Sequence, residues 1–262
     1  MNRYGIQFQV KNSPSLDPDF MPILKFNRAF LETAKKPVSF AVERSGGQVA
    51  VCNTYIHGTP EMRQADHYYA DRLVKSMLWM QGGFKVYVSG DEDIYNYLKE
   101  TFSLTGKRAF DADFMAGVYE HPFEVVFCDK VPEEKGASQA IGRHMNGCRI
   151  GFDAGGSDRK VSAVIDGESV YSEEVVWFPK TTEDPDYHYD GIVAALKSAA
   201  EKMPRVDAVG VSSAGIYIDN RTMVASLFLK VPQDLFDAKV KDIYIRAVRD
   251  TFGPDVPLVV CN

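Results

Sequence analysis

The chain has 262 residues, which at roughly 150 residues per domain makes one large domain or two modest ones. Apolar residues supply 45% and charged residues 25%, so a core forms without covalent staples and wholesale disorder is excluded. With 30 basic and 36 acidic residues the net charge is -6, which argues against nonspecific nucleic-acid binding through basic patches. No stretch approaches the ~18 apolar residues that cross a bilayer. The polar segment from Met1 to Ser15 lacks an apolar secretory core. The expectation is a cytoplasmic protein with no nucleic-acid or membrane partner.

Pro14, Pro18 and Pro22 predict an irregular start to about Pro37, with no early helix. Pro37–Glu43 and Gln48–Ile56 read as strands joined by a Ser45-Gly46-Gly47 turn. A helix follows over Ala65–Gln81, with Ala70, Leu73, Met77 and Met80 as its stripe and Gly82 as its stop. The Met77–Met80 and Tyr68–Tyr69 clusters on it read as core. Phe84, Val86 and Val88 alternate as a strand. Ser89 and Glu92 then have the spacing of a capping box opening a helix through Ile94, Leu98 and Phe102. Asp111 and Asp113 read as acids in the first turn of a helix, the simpler alternative to a paired-carboxylate site. Phe123–Cys128 is a short strand. Residues 1–131 therefore form a mixed α/β accessory domain of ββαβαβ order, and residues 132–146 a linker.

Beyond the linker the pattern changes. Cys148–Asp153, Arg159–Ile165 and Glu168–Trp177 read as three strands, the last two joined by Asp166-Gly167, which suits a type I′ hairpin. The acidic Thr182–Asp186 stretch caps a helix over His188–Met203, whose face is Ile192, Leu196, Ala199 and Met203. Asp207–Ser212 is a strand. Asp234 is placed to cap a helix with the stripe Phe236, Val240, Ile243 and Ala247, stopped by Gly253-Pro254. Val256–Cys261 closes a βββαβαβ order.

The four cysteines and five histidines are scattered without ligand spacing, so no zinc site can be argued and the thiols read as buried or half-buried. The stretch that carries chemistry is Gly151–Lys160, which sets Gly155 and Gly156 between two strand-forming runs, with Asp153 just ahead of them. Adjacent glycines let the backbone turn sharply and bring N–H groups against an anion. A carboxylate at a strand end suits a hydrated magnesium ion, and the Ser157 hydroxyl can add a phosphate contact. A Gly-Gly hairpin turn with an acid beside it is the plainer alternative.

Three stretches together resemble the ROK family of bacterial sugar kinases and repressors, which share the actin-like nucleotide-binding architecture. They are Ile150–Ser157, Val209–Gly215 and Pro257–Asn262. The resemblance covers about residues 147–262 and implies an actin-like (ribonuclease H-like) lobe. It implies ATP and magnesium as cofactors and a hexose or hexosamine as the sugar substrate. It places Asp153, Gly155, Gly156 and Ser157 at the phosphates and magnesium, and Gly215 and Asn262 on the sugar side.

Three departures stand out. Ala214 replaces the usual proline of the sugar-side turn. Asp158 follows the loop where a neutral or basic residue is commoner, with Arg159 and Lys160 to offset it and strand alternation to point it away. The chain also ends at Asn262, just before the aspartate that would be the general base. The expectation is thus the N-terminal portion of a sugar kinase, inactive alone, from an intact protein that phosphorylates a hexose or hexosamine. A non-catalytic sugar-sensing module is the alternative. Such proteins often form homodimers.

Overall fold

A computed structural model describes residues 1–136 and 144–262, so residues 137–143 of the expected linker lie outside the described residues. The chain divides between residues 138 and 139 into two compact units.

The first unit opens with a small antiparallel hairpin, β1 (Asn2–Arg3) and β2 (Ile6–Gln7), and then the helix α1 (Ile23–Thr33). Strands β3 (Lys36–Arg44) and β4 (Gln48–Ile56) form a second hairpin. Then follow α2 (Arg63–Gln81), β5 (Lys85–Ser89), α3 (Glu92–Thr101), α4 (Ala109–Tyr119) and β6 (Glu124–Phe127). The sheet order is β4-β3-β5-β6, antiparallel except for the parallel β5–β6 pair. Val38, Phe40, Val42, Val86 and Val88 face a core shared with Phe26, Phe30, Tyr69, Val74 and Leu98.

Several expectations for this unit are corrected. Pro22 does not break α1 but opens it, because a proline at a helix start gives up an N–H that has no partner there. Phe26 and Phe30 then lock the helix into the core, Phe30 stacking on Tyr69 at 4.4 Å. The cap of α3 is Asp91, which accepts from the Ile94 N–H at 2.8 Å. Ser89 instead donates to the Asp129 carbonyl. On α2, Tyr69, Met77 and Leu78 are buried, but Trp79 and Met80 are exposed, because the buried stripe runs through Ala70, Val74 and Leu78. Asp111 does lie in the first turn of α4, buried beneath the Trp79 indole N–H at 2.6 Å, whereas Asp113 is exposed and the two acids do not form a site.

The second unit contains β7 (Cys148–Ala154), β8 (Asp158–Ile165), β9 (Glu168–Val176), α5 (Pro185–Ala200), β10 (Ala208–Ser213), β11 (Gly215–Ile218) and β12 (Arg221–Ala225). It closes with α6 (Gln233–Leu235), a π-helical turn (Phe236–Val240), α7 (Ile243–Phe252) and β13 (Leu258–Cys261). The sheet order is β13-β10-β7-β8-β9. Strands β7, β8 and β9 form an antiparallel meander, and β7, β10 and β13 run parallel. This is the actin-like, ribonuclease H-like arrangement. Parallel neighbours need a crossover, and the helices α5 and α7 cover one face of the sheet around Ile150, Phe152, Val211, Leu196, Tyr244 and Ala247.

The structure adds the β11–β12 hairpin to the expected βββαβαβ order. It turns on Asp219 and Asn220, both with positive φ (52° and 65°), a conformation these two residue types tolerate. Asp184 caps α5 by accepting from the Asp186 N–H at 2.9 Å. Asp234 makes no cap; Pro232 precedes that helical run, which widens into a π-turn before α7. Cys261 is exposed, since it alternates with the buried Val260.

The first unit holds one fully buried carboxylate in an ion cluster. Asp71 is 0% exposed and accepts from Arg108 Nε at 2.7 Å and from Lys107 Nζ at 3.1 Å. Burial works to raise its pKa, and the hydrogen bonds from Arg108 and Lys107 override that and hold it below the ordinary carboxylate value. A depressed folded pKa contributes stability that is present above the unfolded value of about 3.9 and is lost as pH falls through the folded one. Asp71→Asn should therefore cost about 2–3 kcal/mol at pH 7, because it removes charged hydrogen bonds and leaves Arg108 only Asp111, 3.7 Å away. Urea unfolding at pH 7 and pH 3 checks this: the deficit of the variant should shrink at the lower pH, and an unchanged midpoint at pH 7 would contradict it.

Candidate functional site

The sheet of the second unit buries one face and leaves the other open. Partners in register share a face, so the pairings draw two rows across the open side. One row is Glu174, Lys160, Asp153, Ser212 and Cys261; the other is Ser172, Ser162, Gly151, Gly210 and Val259. The second row is mostly small, and the two rows, Glu174 apart, floor a cavity of about 450 Å³. Strands β7, β10 and β13 end at this edge. The chain passes to opposite sides of β7 after its first strand and after α5, which makes the β7–β10 boundary a topological switch point. In open α/β sheets ligands bind at the carboxyl ends of strands at such a point.

The expected phosphate loop lies at the end of β7. Asp153 is exposed at the strand end and accepts no hydrogen bond from the described residues, so its carboxylate is free for a cation. Gly155 is required sterically: a Cβ there would come within 2.5 Å of the Asp158 carbonyl oxygen, which is main chain and cannot yield. Trp177, 1% exposed, ties the loop down from the core side. Its indole N–H donates to the Gly155 carbonyl at 2.8 Å, and its main-chain N–H donates to Ser157 at 3.1 Å.

Two expectations at the loop change. Asp158 does not point away from the turn: it shares the open face with Lys160 and Asp153, since residues two apart on a strand face the same way. It is held by Lys160 and by the Ser157 hydroxyl, which donates to it at 3.1 Å. Those two hydrogen bonds, Lys160 first, keep its pKa below the usual carboxylate range. Ser157 therefore spends its hydroxyl on Asp158. Arg159 gives no offset at the loop, because its guanidinium lies on the other face over the Trp177 ring at 5.8 Å.

On the sugar side, the structure brings Gly215 and Asn262 together: the Asn262 amide donates to the Gly215 carbonyl at 3.0 Å. A Cβ on Gly215 would lie 2.4 Å from the Val224 carbonyl oxygen, so this position takes only glycine. Ala214 beside it is exposed. Ser213 ties this turn to the phosphate strand by donating to the Ala154 carbonyl at 3.3 Å. Burial pushes the neighbouring Tyr244 hydroxyl far above its ordinary pKa, so it stays neutral. The Asn220 side chain clips the β11–β12 hairpin to β13, donating to Leu258 at 3.0 Å and accepting from Val260 at 2.8 Å.

Sequence reasoning passed over Trp177, Lys180, His188 and Asn220. Only Asn220 carried a local signal, as the second of two turn-forming residues. A hydrated magnesium ion takes one or two carboxylates and keeps most of its waters, and Asp153 fits that demand. Among the described residues no group of three or more His, Cys, Asp or Glu side chains is placed to enclose a metal.

The two glycines should respond differently. Gly155→Ala meets main chain and should lower the thermal midpoint by several degrees. Gly156→Ala meets only the flexible Lys180 side chain, whose Cε would lie 2.4 Å from the new Cβ, and should unfold near the wild-type temperature. Circular dichroism melting checks the pair, and equal losses would contradict the loop geometry.

No protein-family model matches the chain, and no curated protein matches it. Among solved structures it is similar to an inorganic polyphosphate/ATP-glucomannokinase from Arthrobacter sp. strain KM. The identity there is 22%, over 45% of this chain and 44% of that one, with a TM-score of 0.33. A glucokinase from Parabacteroides distasonis is 18% identical over 45% of this chain and 31% of that one, with a TM-score of 0.34. A putative N-acetylmannosamine kinase from Listeria monocytogenes is 21% identical over 43% and 34%, with a TM-score of 0.29. The chain spans less than half the length of each of these proteins. The partial resemblance to bacterial sugar kinases expected from the sequence is thus found again among solved structures.

Proposed function

We propose that the second unit is a phosphate-donor lobe that serves ATP-dependent phosphorylation of a hexose or hexosamine. The observation that carries this reading is the free Asp153 carboxylate at the end of the central strand, beside a two-glycine turn. That turn has no room for a side chain at Gly155 and is pinned from below by Trp177. Phosphoryl transfer is mostly positioning and electrostatic stabilisation, and these parts supply both. The loop amides at Gly155 and Gly156 would meet the anion, and Asp153 would hold the magnesium ion, which when bound neutralises charge on the donor phosphates. Gly215 and Asn262, hydrogen-bonded to each other at 3.0 Å, lie beside the ends of β10 and β13 at the same edge of the sheet, consistent with a sugar held near the donor's end.

The Asp158 carboxylate on the Asp153 side favours a second reading, in which the lobe binds a sugar without turning over ATP. Sugar-dependent thermal stabilisation with no ADP release is its signature.

Calorimetric titration with Mg-ATP tests the first reading. The wild-type chain should bind, and Asp153→Ala should weaken binding by about tenfold or more, equivalent to ~1.4 kcal/mol. Chelation of magnesium should weaken the wild type similarly and leave the variant nearly unchanged. Binding that is indifferent to both the variant and the metal would contradict the role of Asp153. Mg-ATP with a panel of hexoses and hexosamines should release ADP on the first reading and none on the second.

A further inference from the structure

The cations around the phosphate loop are not equivalent. Arg159 lies on the core side over Trp177. Lys160 is committed to Asp158 and stands 3.9 Å from Glu174. Lys180 is different: it makes no hydrogen bond or ion pair with the described residues, and its side chain runs across Gly156. A Cβ on that glycine would lie 2.4 Å from Lys180 Cε and 2.6 Å from Nζ. The lysine thus occupies the space that the missing side chain leaves, with its ammonium at the turn.

The main chain that carries this lysine is fixed. Lys180 sits in the short turn Pro179–Thr181. The Phe178 N–H donates to the Tyr187 hydroxyl at 2.9 Å, and the Thr182 hydroxyl donates to the Phe178 carbonyl at 2.7 Å. His188, fully buried, sets a ring nitrogen 2.9 Å from the Pro179 carbonyl oxygen. The side chain of Lys180 is exposed and free to adjust, while its root is held by these hydrogen bonds. A pre-anchored group loses less freedom when it engages a ligand.

The electrostatics of the loop ask for such a group. Asp153 and Asp158 both stand on the side of the turn where a phosphate would rest, and Ser157 is already spent on Asp158. Lys160 is shared between two carboxylates. An anion at Gly155 and Gly156 would therefore meet repulsion with one uncommitted cation to answer it.

We propose that Lys180 is the phosphate-loop cation of this lobe, its ammonium meeting phosphoanhydride oxygens of the donor seated on the Gly155–Gly156 turn. The proposal rests on the reading of the site as a donor lobe. It assigns to a residue outside the glycine motif the charge that Asp158 cancels within it.

The test titrates Mg-ATP, Mg-ADP and AMP into the wild-type chain and its Lys180→Met and Lys180→Arg variants, at low and moderate salt. Lys180→Met should lose about tenfold or more for Mg-ATP and Mg-ADP, lose little for AMP, and show a shallower salt dependence. Lys180→Arg should stay within a few-fold of wild type, and all three should melt together because the side chain has no partner to lose. If Lys180→Met binds Mg-ATP as tightly as wild type while Asp153→Ala does not, the donor-lobe reading stands and the assignment of Lys180 falls. Equal losses for Mg-ATP and AMP also overturn it, since the effect then does not lie at the anhydride. A wild-type chain that binds none of the three probes overturns both.

Discussion

The parallel pairing of β10 with β7 is the constraint on which the site depends. It sets Ser212 beside Asp153 and Ser213 beside Ala154, so that two loops far apart in sequence leave the sheet at one edge. The pairing is stabilised by a strictly alternating pattern. Ile150, Phe152, Val209 and Val211 bury one face under α5 and α7, and a register slip of one residue would turn that whole set outward. The polar and small residues that floor the open side are the other half of the same alternation. Chemistry and core are two faces of one periodicity.

The phosphate turn shows how the local and the tertiary combine. Gly155 is dictated by main chain of its own hairpin, a requirement confined to a few residues. Trp177 and the anchored turn that bears Lys180 belong to the end of β9 and the start of α5, and they reach the loop only because the meander folds back on itself. Gly191 in α5 permits this approach: a Cβ there would press to 3.1 Å against the Trp177 ring. A strand, a helix glycine and an indole together hold a loop whose own sequence supplies only flexibility.

This division explains what could be read from the sequence. The β7–β8–β9 meander and the stripe of α5 were legible because their signals are periodic and local, and Asp166-Gly167 takes the positive φ values of its expected turn (49° and 91°). Asp153, Gly155, Gly156 and Ser157 were legible as a group because they are adjacent. The helix α1 was not, because Pro22 looks like a breaker until its position at the first turn is known. The direction of Asp158 was not legible, because the side of the sheet it shares with Asp153 is set by the Asp153–Lys160 register. Lys180 and His188 carry no local mark at all; their roles come from a contact across the turn and from burial. The Gly215–Asn262 hydrogen bond joins residues that are 47 apart in the chain, and its existence depends on β13 adding beside β10.

The central claim is that an anionic donor seats on the Gly155–Gly156 turn beside Asp153. Amide chemical-shift mapping tests it most directly, with ¹⁵N-labelled protein titrated with Mg-ATP. The account predicts that the amides of Gly155, Gly156 and Ser157 shift together and saturate on one binding curve, joined by Trp177. Shifts confined to residues 1–136, or none at the turn at saturating nucleotide, would contradict it.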